Sequence, residues 1–352
     1  MIKDNINNKI KYLYLILTIG IVILHTRHFG MFNIKPLNDV DRFILSTYMK
    51  TAEQIGYISM VFFFFMSGFW FYKGLNSYKD IIKKWKRRIH TLLIPYLIWT
   101  VIIGTYQVCT SQITINFNNI FYHIFETPVT GPLWYILGLL ILQLFAPIIL
   151  SLMKNRKLLT MLFSIIIIYI SLRSLNIIPN LLEFKDWWWY NNLIYYIPVY
   201  LIGSYIGMYH QDIIIKNEYN QKIYTYIGIS LLIIVFIFWT YLITDIHYLN
   251  LIYAIISMIG LWFILKPKLF SKKLPDFLNC SFFLFALHKP ILKPLTYQIT
   301  KFILGNNAIF CLEALLIRSI ELIIIFLFSA IIRKISSKIF FKKFYYYLTG
   351  GR

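Results

Sequence analysis

Residues 23–30 of the chain read ILHTRHFG and end its first long apolar run. This short stretch contains three ionisable residues, His25, Arg27 and His28. Because ionisable side chains are costly at membrane depth, they usually face a protein interior or a water-filled cavity instead of lipid. The stretch therefore predicts a polar site enclosed by membrane helices, with His25 as its central candidate. On composition alone, a helix end that reaches interfacial water explains the cluster equally well.

The composition of the chain is that of a membrane protein. It has 352 residues, of which 59% are hydrophobic and 19% aromatic, and its mean hydropathy is +0.66. A soluble domain is usually about 45–50% apolar, so these values exclude that class. The net charge of +21 does not indicate nucleic-acid binding, because the basic residues fall in the gaps between apolar runs. Cys109, Cys280 and Cys311 lie inside apolar runs without a metal-ligand spacing, which predicts packing residues and no metal site.

The apolar runs predict the fold. A spanning helix needs about 20 mostly apolar residues, and ten segments approach that length. The predicted spans are 12–29, 54–73, 89–109, 132–152, 158–175, 190–208, 223–243, 248–265, 277–296 and 308–332. The fifth is short, and the ninth is interrupted by His288, Lys289, Pro290, Lys293 and Pro294. We therefore expect an all-α fold, a polytopic membrane helix bundle of about ten transmembrane helices, formed by one domain over residues 1–352.

The distribution of basic residues predicts the orientation of this bundle. Of the 35 Lys and Arg residues, 25 fall in the segments that lie on the same side as both termini. Since cytoplasmic loops carry the excess of Lys and Arg, both termini are expected in the cytoplasm, with a basic cytoplasmic tail over about residues 333–352. The chain is expected to be a multi-pass protein of the inner (plasma) membrane. His25 then lies towards the outer face, opposite the 73–88 loop.

The segment KKWKRRIHTLLIPYLIW, residues 83–99, opens with a dense group of cations. One interpretation is an anchor for anionic lipid headgroups, which any membrane protein can have. The other is a site for a polyanion, such as the phosphates of a nucleotide-derived donor, with Lys86, Arg87 and Arg88 as the contacts. Arginine forks bind phosphate oxygens in a bidentate manner. The 73–88 loop carries seven cations, more than any other loop, which modestly favours the binding site.

Four further features place polar or aromatic residues in apolar runs. Ser67 and the glycine after it, in VFFFFMSGFWFY, are typical of a close helix contact, an interpretation favoured over a nucleophilic serine. Trp134 indicates an interfacial aromatic belt. His288 stands near a proline that would loosen the helix and free backbone groups to face a cavity. Arg318 and Glu321 are three residues apart on one helix face, which predicts a structural ion pair.

Five motifs stand in a recognisable order along the chain. They are a histidine that ends the first span (His25), FF-x-x-SGF (63–69), a basic stretch leading into L-x-P-Y (87–96), G-x-LW-[FY] (131–135) and an aromatic segment with H-x-P (285–290). Together these motifs resemble the acyltransferase 3 family of integral membrane acyltransferases, over nearly the whole chain. The chain departs from many or some members at three points. Tyr14 stands in place of an arginine, the second arginine of an R-x-x-R pattern is replaced by Thr91 after Arg88 or by His90 after Arg87, and Leu139 stands in place of a glutamate.

The resemblance implies an enzyme that moves an acyl group, most often acetyl from acetyl-CoA, to a hydroxyl of a cell-envelope carbohydrate or a lipid-linked sugar. The acyl-CoA would be a co-substrate, and no bound cofactor is expected. His25 would be the general base, Arg27 or Arg88 would offset charge on oxygen, and the cations of residues 86–88 would hold the donor phosphates. The residues expected in a relay or cavity are Ser67, Trp134, His288, Arg318 and Glu321.

The competing class is a transporter or flippase for a lipid-linked sugar, since intramembrane histidines and charges fit that class as well. It predicts broken helices in paired repeats, which the sequence does not show, and no requirement for a thioester. The sequence leaves open the acceptor, the acyl chain, the choice between direct transfer and an acyl-enzyme, and the oligomeric state.

Overall fold

The computed structural model of the protein is a bundle of helices. It describes residues 2–30, 32–114, 116, 119–126, 131–174, 188–215, 222–241, 247–305 and 307–351. The α-helices in these ranges are α1 Ile2–Thr26, α2 Asp39–Tyr72, α3 Tyr78–Arg88, α4 Ile94–Cys109, α5 Trp134–Leu144, α6 Ala146–Lys154, α7 Arg156–Ser174, α8 Trp188–Tyr209, α9 Gln211–Ile215, α10 Lys222–Tyr241, α11 His247–Ile264, α12 Ser281–Leu287, α13 Lys293–Leu304, α14 Cys311–Ile339 and α15 Lys342–Leu348. The only β pairing within these ranges is an isolated bridge between Ile34 and Ile309. The predicted all-α class is therefore confirmed.

Several of these helices are long and apolar enough to cross a membrane. Four pass that test among the described residues: Asn5–Thr26, Asp39–Tyr72, Tyr78–Cys109 and Cys311–Ile339. A fifth span is added if Gly131–Leu144 and Ala146–Lys154, which bend by 57° at their junction, form a single crossing. Shorter apolar helices occupy Lys157–Leu172, Lys222–Phe238 and Asn250–Ile264. Ten spans and the placement of the termini remain predictions.

The boundaries of the first two spans differ from the predicted ones. Helix α1 begins at Ile2 and ends at Thr26, so His25 lies in its last turn. Helix α2 begins at Asp39, well before the predicted residue 54. Asn38 causes this early start, because its side chain accepts a hydrogen bond from the Asp41 backbone N–H at 2.8 Å and its own N–H donates back to the Asp41 carboxylate. The charged residues after Asn38 lowered the hydropathy, but the capping box still starts a helix there.

Small residues bring α2 and α8 close together. A methyl group added at Gly68 would overlap the backbone carbonyl of Tyr200, and one at Gly203 or Gly207 would overlap the backbone of α2. The contact is therefore possible only with glycine at these positions. The helix notch predicted beside Ser67 is confirmed. Next to it, the Phe64 and Tyr196 rings stack with centroids 4.9 Å apart.

The predicted ninth span is interrupted at the expected place. Helix α12 ends at Leu287, a π-helical turn occupies His288–Leu292, and α13 begins at Lys293. A similar π-helical turn at Ile89–Leu93 joins α3 to α4. Such wide turns are uncommon and are found frequently at functional sites.

The outer surface of the bundle is apolar, whereas some of its charges are buried. Helix α14 exposes large apolar side chains at a three- to four-residue spacing: Leu312, Leu316, Ile320, Ile323, Leu327, Ile331 and Ile335. On the opposite side of the same helix, Arg318 and Glu321 are 1% and 2% exposed. A large exposed apolar face of this kind is typical of contact with lipid.

The C-terminal segment folds back onto the bundle instead of forming a simple tail. Helix α14 runs to Ile339, beyond the predicted end of the last span at residue 332. The chain then turns into α15, where the backbone carbonyl of Leu348 accepts a hydrogen bond from the Trp99 indole at 3.1 Å. The Tyr347 hydroxyl lies 3.2 Å from His90 Nδ1. Residues 342–351 thus pack beside the basic segment.

Candidate active site

Two cavities lie one after the other along α1 and α2. Tyr14 and Thr18 of α1 line the first cavity, and Ile21, Leu24 and His25 line the second. Because an α-helix rises about 1.5 Å per residue, His25 stands roughly 16 Å beyond Tyr14 along α1. Helix α2 runs in the opposite direction and contributes residues 63–70 to the first cavity and residues 53–60 to the second.

The first cavity, here named the basic cavity, has a volume of about 360 Å³. Its lining includes three cations, Lys84, Arg87 and Arg88. Arg87 is exposed, Arg88 is half-buried, and Lys84 donates to the backbone carbonyls of Phe71 and Lys73 at the end of α2. Lys86 is exposed and is not part of the lining, so Lys84 takes the place that the sequence assigned to Lys86.

Ser67 lies in the wall of the basic cavity and bonds to a tyrosine. Its Oγ is 2.8 Å from the Tyr135 hydroxyl, which donates to the backbone carbonyl of Phe63 at 3.0 Å. Since the Tyr135 proton goes to that carbonyl, Ser67 is the donor in the pair. Within the described residues, no histidine or carboxylate hydrogen bonds to Ser67. The arrangement favours a positioned hydroxyl over an activated nucleophile.

Three residues that depart from the family pattern lie in one place, whereas His90, the other candidate for the second arginine position, does not line this cavity. Tyr14, Thr91 and Leu139 line the basic cavity, although they come from α1, the π-helical turn after Arg88 and α5. Tyr14 stacks on Phe63 with ring centroids 5.7 Å apart. The cavity wall is consequently less charged at these positions than the family pattern implies.

The second cavity, here named the histidine cavity, has a volume of about 240 Å³. It is lined by Ile21, Leu24, His25, Arg27, Glu53, Gly56, Tyr57, Met60, Pro132, Trp134, Asn192, Tyr196, Phe285 and Lys289. The structure thus brings His25, Arg27 and Trp134 together, as the sequence indicated. Trp134 is only 9% exposed and forms part of this inner wall, so a role in an interfacial belt is wrong.

His288 stands directly behind His25. The two imidazole rings have centroids 5.2 Å apart. His288 is 1% exposed, and its Nδ1 lies 3.0 Å from the backbone carbonyls of Leu284 and Phe285. Because a carbonyl only accepts hydrogen bonds, Nδ1 carries the proton and Nε2 is left as an acceptor. Among the described residues, Nε2 of His288 has no hydrogen-bond partner.

The C-terminal end of α1 is held by cations from three directions. Lys293 donates to the backbone carbonyl of His25 at 2.6 Å, and Arg27 donates to that of Leu24 at 2.8 Å. Arg318 donates to the backbone carbonyl of His28. The last carbonyls of a helix have no partner within the helix, and they carry the negative end of its dipole. These contacts fix the backbone that carries His25.

Arg318 and Glu321 form the predicted ion pair, with Nη1 and Oε2 2.5 Å apart. Thr300 donates a second hydrogen bond to the Glu321 carboxylate at 3.0 Å. The Arg318 guanidinium also lies 4.5 Å from the centre of the Phe32 ring. The pair lines neither the basic cavity nor the histidine cavity, and through the Arg318 contact with the His28 carbonyl it supports the end of α1. A role in a relay stays a prediction.

Glu53 is the main residue of the site that sequence reasoning missed. It is the carboxylate among the described lining residues of the histidine cavity, and it lies one residue before the predicted span 54–73. Its position in α2 places it on one face with Gly56, Tyr57 and Met60, which all line the same cavity. This spacing of three, four and seven residues was a helical signal in the sequence.

An all-helical bundle with an apolar outer surface, and with cavities between its helices that are lined in part by charged side chains, is typical of an integral membrane protein with an internal site. A family model described as an acyltransferase domain, Acyl_transf_3, matches residues 7–334. The chain belongs to this acyltransferase 3 family, and membrane acyltransferase activity in general is thereby supported. No curated protein and no solved structure gives a significant match to the chain.

Proposed function

We propose that the protein transfers an acetyl group from acetyl-CoA in the basic cavity to a hydroxyl of a cell-envelope carbohydrate or lipid-linked sugar in the histidine cavity. One observation carries this proposal: the two cavities follow each other along α1, one with Arg87 and Arg88, the other with His25. Arginines suit the phosphates of the donor, and an imidazole suits removal of the acceptor proton.

The basic cavity accounts for the donor. Arg87 and Arg88 hold its phosphates, and the thioester arm extends along Ser67 and Tyr135 towards the histidine cavity. The positive-inside distribution favours a cytoplasmic position for the basic cavity, on the side of the membrane where acyl-CoA is made. The acceptor then approaches from the outer side.

The histidine cavity accounts for the chemistry. His25 takes the proton of the acceptor hydroxyl. The hydroxyl oxygen attacks the thioester carbonyl at the same time and forms the new C–O bond. Negative charge develops on the carbonyl oxygen, and the Arg27 guanidinium in the same wall offsets it. The C–S bond then breaks, and the proton on His25 passes to the departing CoA sulfur.

The proposal is tested by transfer of radiolabelled acetyl from acetyl-CoA into a cell-envelope carbohydrate fraction by purified protein. We expect His25→Ala to lower the transfer rate by about 10²-fold or more, which is the usual contribution of a general base. His28→Ala is the matched control, because His28 is exposed and lines neither cavity.

The control variant should transfer acetyl at the wild-type rate. Full activity of His25→Ala would remove the base assignment. Movement of a lipid-linked sugar across the membrane without consumption of acetyl-CoA would instead support a flippase.

A further inference from the structure

A single phenylalanine forms the boundary between the two cavities. Among the described residues, Phe285 alone lines both the basic cavity and the histidine cavity. It is 8% exposed and lies in the last turn of α12, directly before the π-helical turn. Phe285 therefore stands where the two cavities adjoin.

Phe285 belongs to a layer of aromatic rings across this boundary. Its ring centroid lies 6.4 Å from that of Phe63 and 6.1 Å from that of Tyr135, both in the wall of the basic cavity. On the other side it lies 6.1 Å from the ring of His288, which adjoins His25. Rings at such distances are in packing contact. This layer of rings leaves limited room for an acyl chain between the two cavities.

The backbone below Phe285 is held in place. His288 Nδ1 donates to the carbonyls of Leu284 and Phe285, so the end of α12 is tied to the π-helical turn. A passing group is therefore accommodated by rotation of the Phe285 side chain and not by movement of its helix. The size of the ring then limits the size of the group.

From this geometry we infer that Phe285 determines which acyl chain reaches His25, admitting acetyl and excluding longer chains. The inference rests on the proposed function, because it assigns the donor class for the same site. Each methylene that a closed pocket rejects changes the rate of a substrate by about 10-fold or more. Replacement of Phe285 by a smaller residue therefore opens the passage to longer acyl groups.

The chain offers a matched control on the same helix. Phe282 lies three residues before Phe285 and lines the basic cavity, but it does not line the histidine cavity. Its ring lies beside Gly350 of the C-terminal segment. Phe282→Ala removes an equal aromatic volume from the donor side without opening the boundary.

The test measures transfer from acetyl-, butyryl- and hexanoyl-CoA into a cell-envelope carbohydrate fraction by the wild type and by Phe285→Ala, Phe285→Leu and Phe282→Ala. We expect Phe285→Ala to raise the hexanoyl-to-acetyl ratio of kcat/KM by about 10-fold or more. Phe285→Leu keeps more of the core volume and should raise this ratio less. If the alanine variant aggregates during size-exclusion chromatography, the leucine variant alone tests the inference. Phe282→Ala should leave the ratio unchanged.

The inference is overturned if the ratio stays the same in both Phe285 variants, or if it rises equally in Phe282→Ala. It is also overturned if the wild type uses hexanoyl-CoA as readily as acetyl-CoA. Absence of transfer from every donor in the wild type would contradict the proposed function itself, and is distinguished from the other outcomes by the missing acetyl signal.

Discussion

The basic cavity and the histidine cavity share four helices, α1, α2, α5 and α12, whereas α3 lines only the first and α8 only the second. Their linings differ in kind. The described lining of the basic cavity combines cations with aromatic rings and contains no carboxylate. The histidine cavity combines an imidazole, two cations and the carboxylate of Glu53. The first lining suits a fixed polyanion, and the second suits a reaction in which a proton moves and charge develops.

This difference indicates that donor binding and the transfer reaction take place at different positions along α1 and α2. Residues of the histidine cavity should act mainly on kcat, because they meet the reacting atoms. Residues of the basic cavity should act mainly on the KM for acetyl-CoA, because they hold a part of the donor that does not react. Mutations in the two cavities therefore test whether donor binding and chemistry are separated in this way.

The largest effect among further variants is expected from Arg27→Gln, in the histidine cavity. Loss of a cation that offsets charge on the carbonyl oxygen should lower kcat by about 10²-fold, with little change in the KM for acetyl-CoA. Steady-state kinetics with radiolabelled acetyl-CoA measure both. Arg42→Gln is the control, since Arg42 is exposed and lines neither cavity. An unchanged kcat in the Arg27 variant would exclude it from the chemistry.

A smaller and different effect is expected from the double variant Arg87→Gln and Arg88→Gln. Loss of charged hydrogen bonds to phosphate should raise the KM for acetyl-CoA by about 10- to 100-fold and leave kcat largely intact. Lys86→Gln, in the same segment but outside the cavity, should behave as the wild type. Failure of the double variant to insert, or its insertion in the inverted orientation, would show that these arginines serve only topology.

The smallest effect is expected from Lys293→Met, which removes the hydrogen bond to the backbone carbonyl of His25. The end of α1 should loosen, so that kcat falls by about 10-fold while the KM for acetyl-CoA is unchanged. Lys301→Met provides the comparison on α13, because Lys301 is exposed. A change in KM alone would place Lys293 with the donor and contradict its role in positioning His25.

Most helices and some contacts could be predicted from local sequence. Apolar runs gave the helical class, the three-residue spacing of Arg318 and Glu321 gave their ion pair, and Pro290 marked the interruption after α12. The start of α2 was missed because its first turns are charged, and only the Asn38 capping box reveals them. Hydropathy measures the apolar part of a helix, whereas a cap determines where the helix begins.

The site was predictable only in part, because its walls are made by residues far apart in sequence. His25 and the arginines of residues 87–88 carried signals in their types and positions. Nothing local shows that Phe285 lies between two cavities, or that Gly350 and Gly351 line the same cavity as Tyr14. These contacts follow from how the helices pack, which depends on long-range fits such as that of Gly68 against Tyr200.

The separation of donor binding from chemistry is tested most directly by measuring the Kd for acetyl-CoA and the rate of acetyl transfer in the same preparation of His25→Ala. The predicted result is a Kd equal to that of the wild type together with loss of transfer, since His25 lines only the histidine cavity. Loss of acetyl-CoA binding in this variant, or transfer at the wild-type rate, would contradict the account.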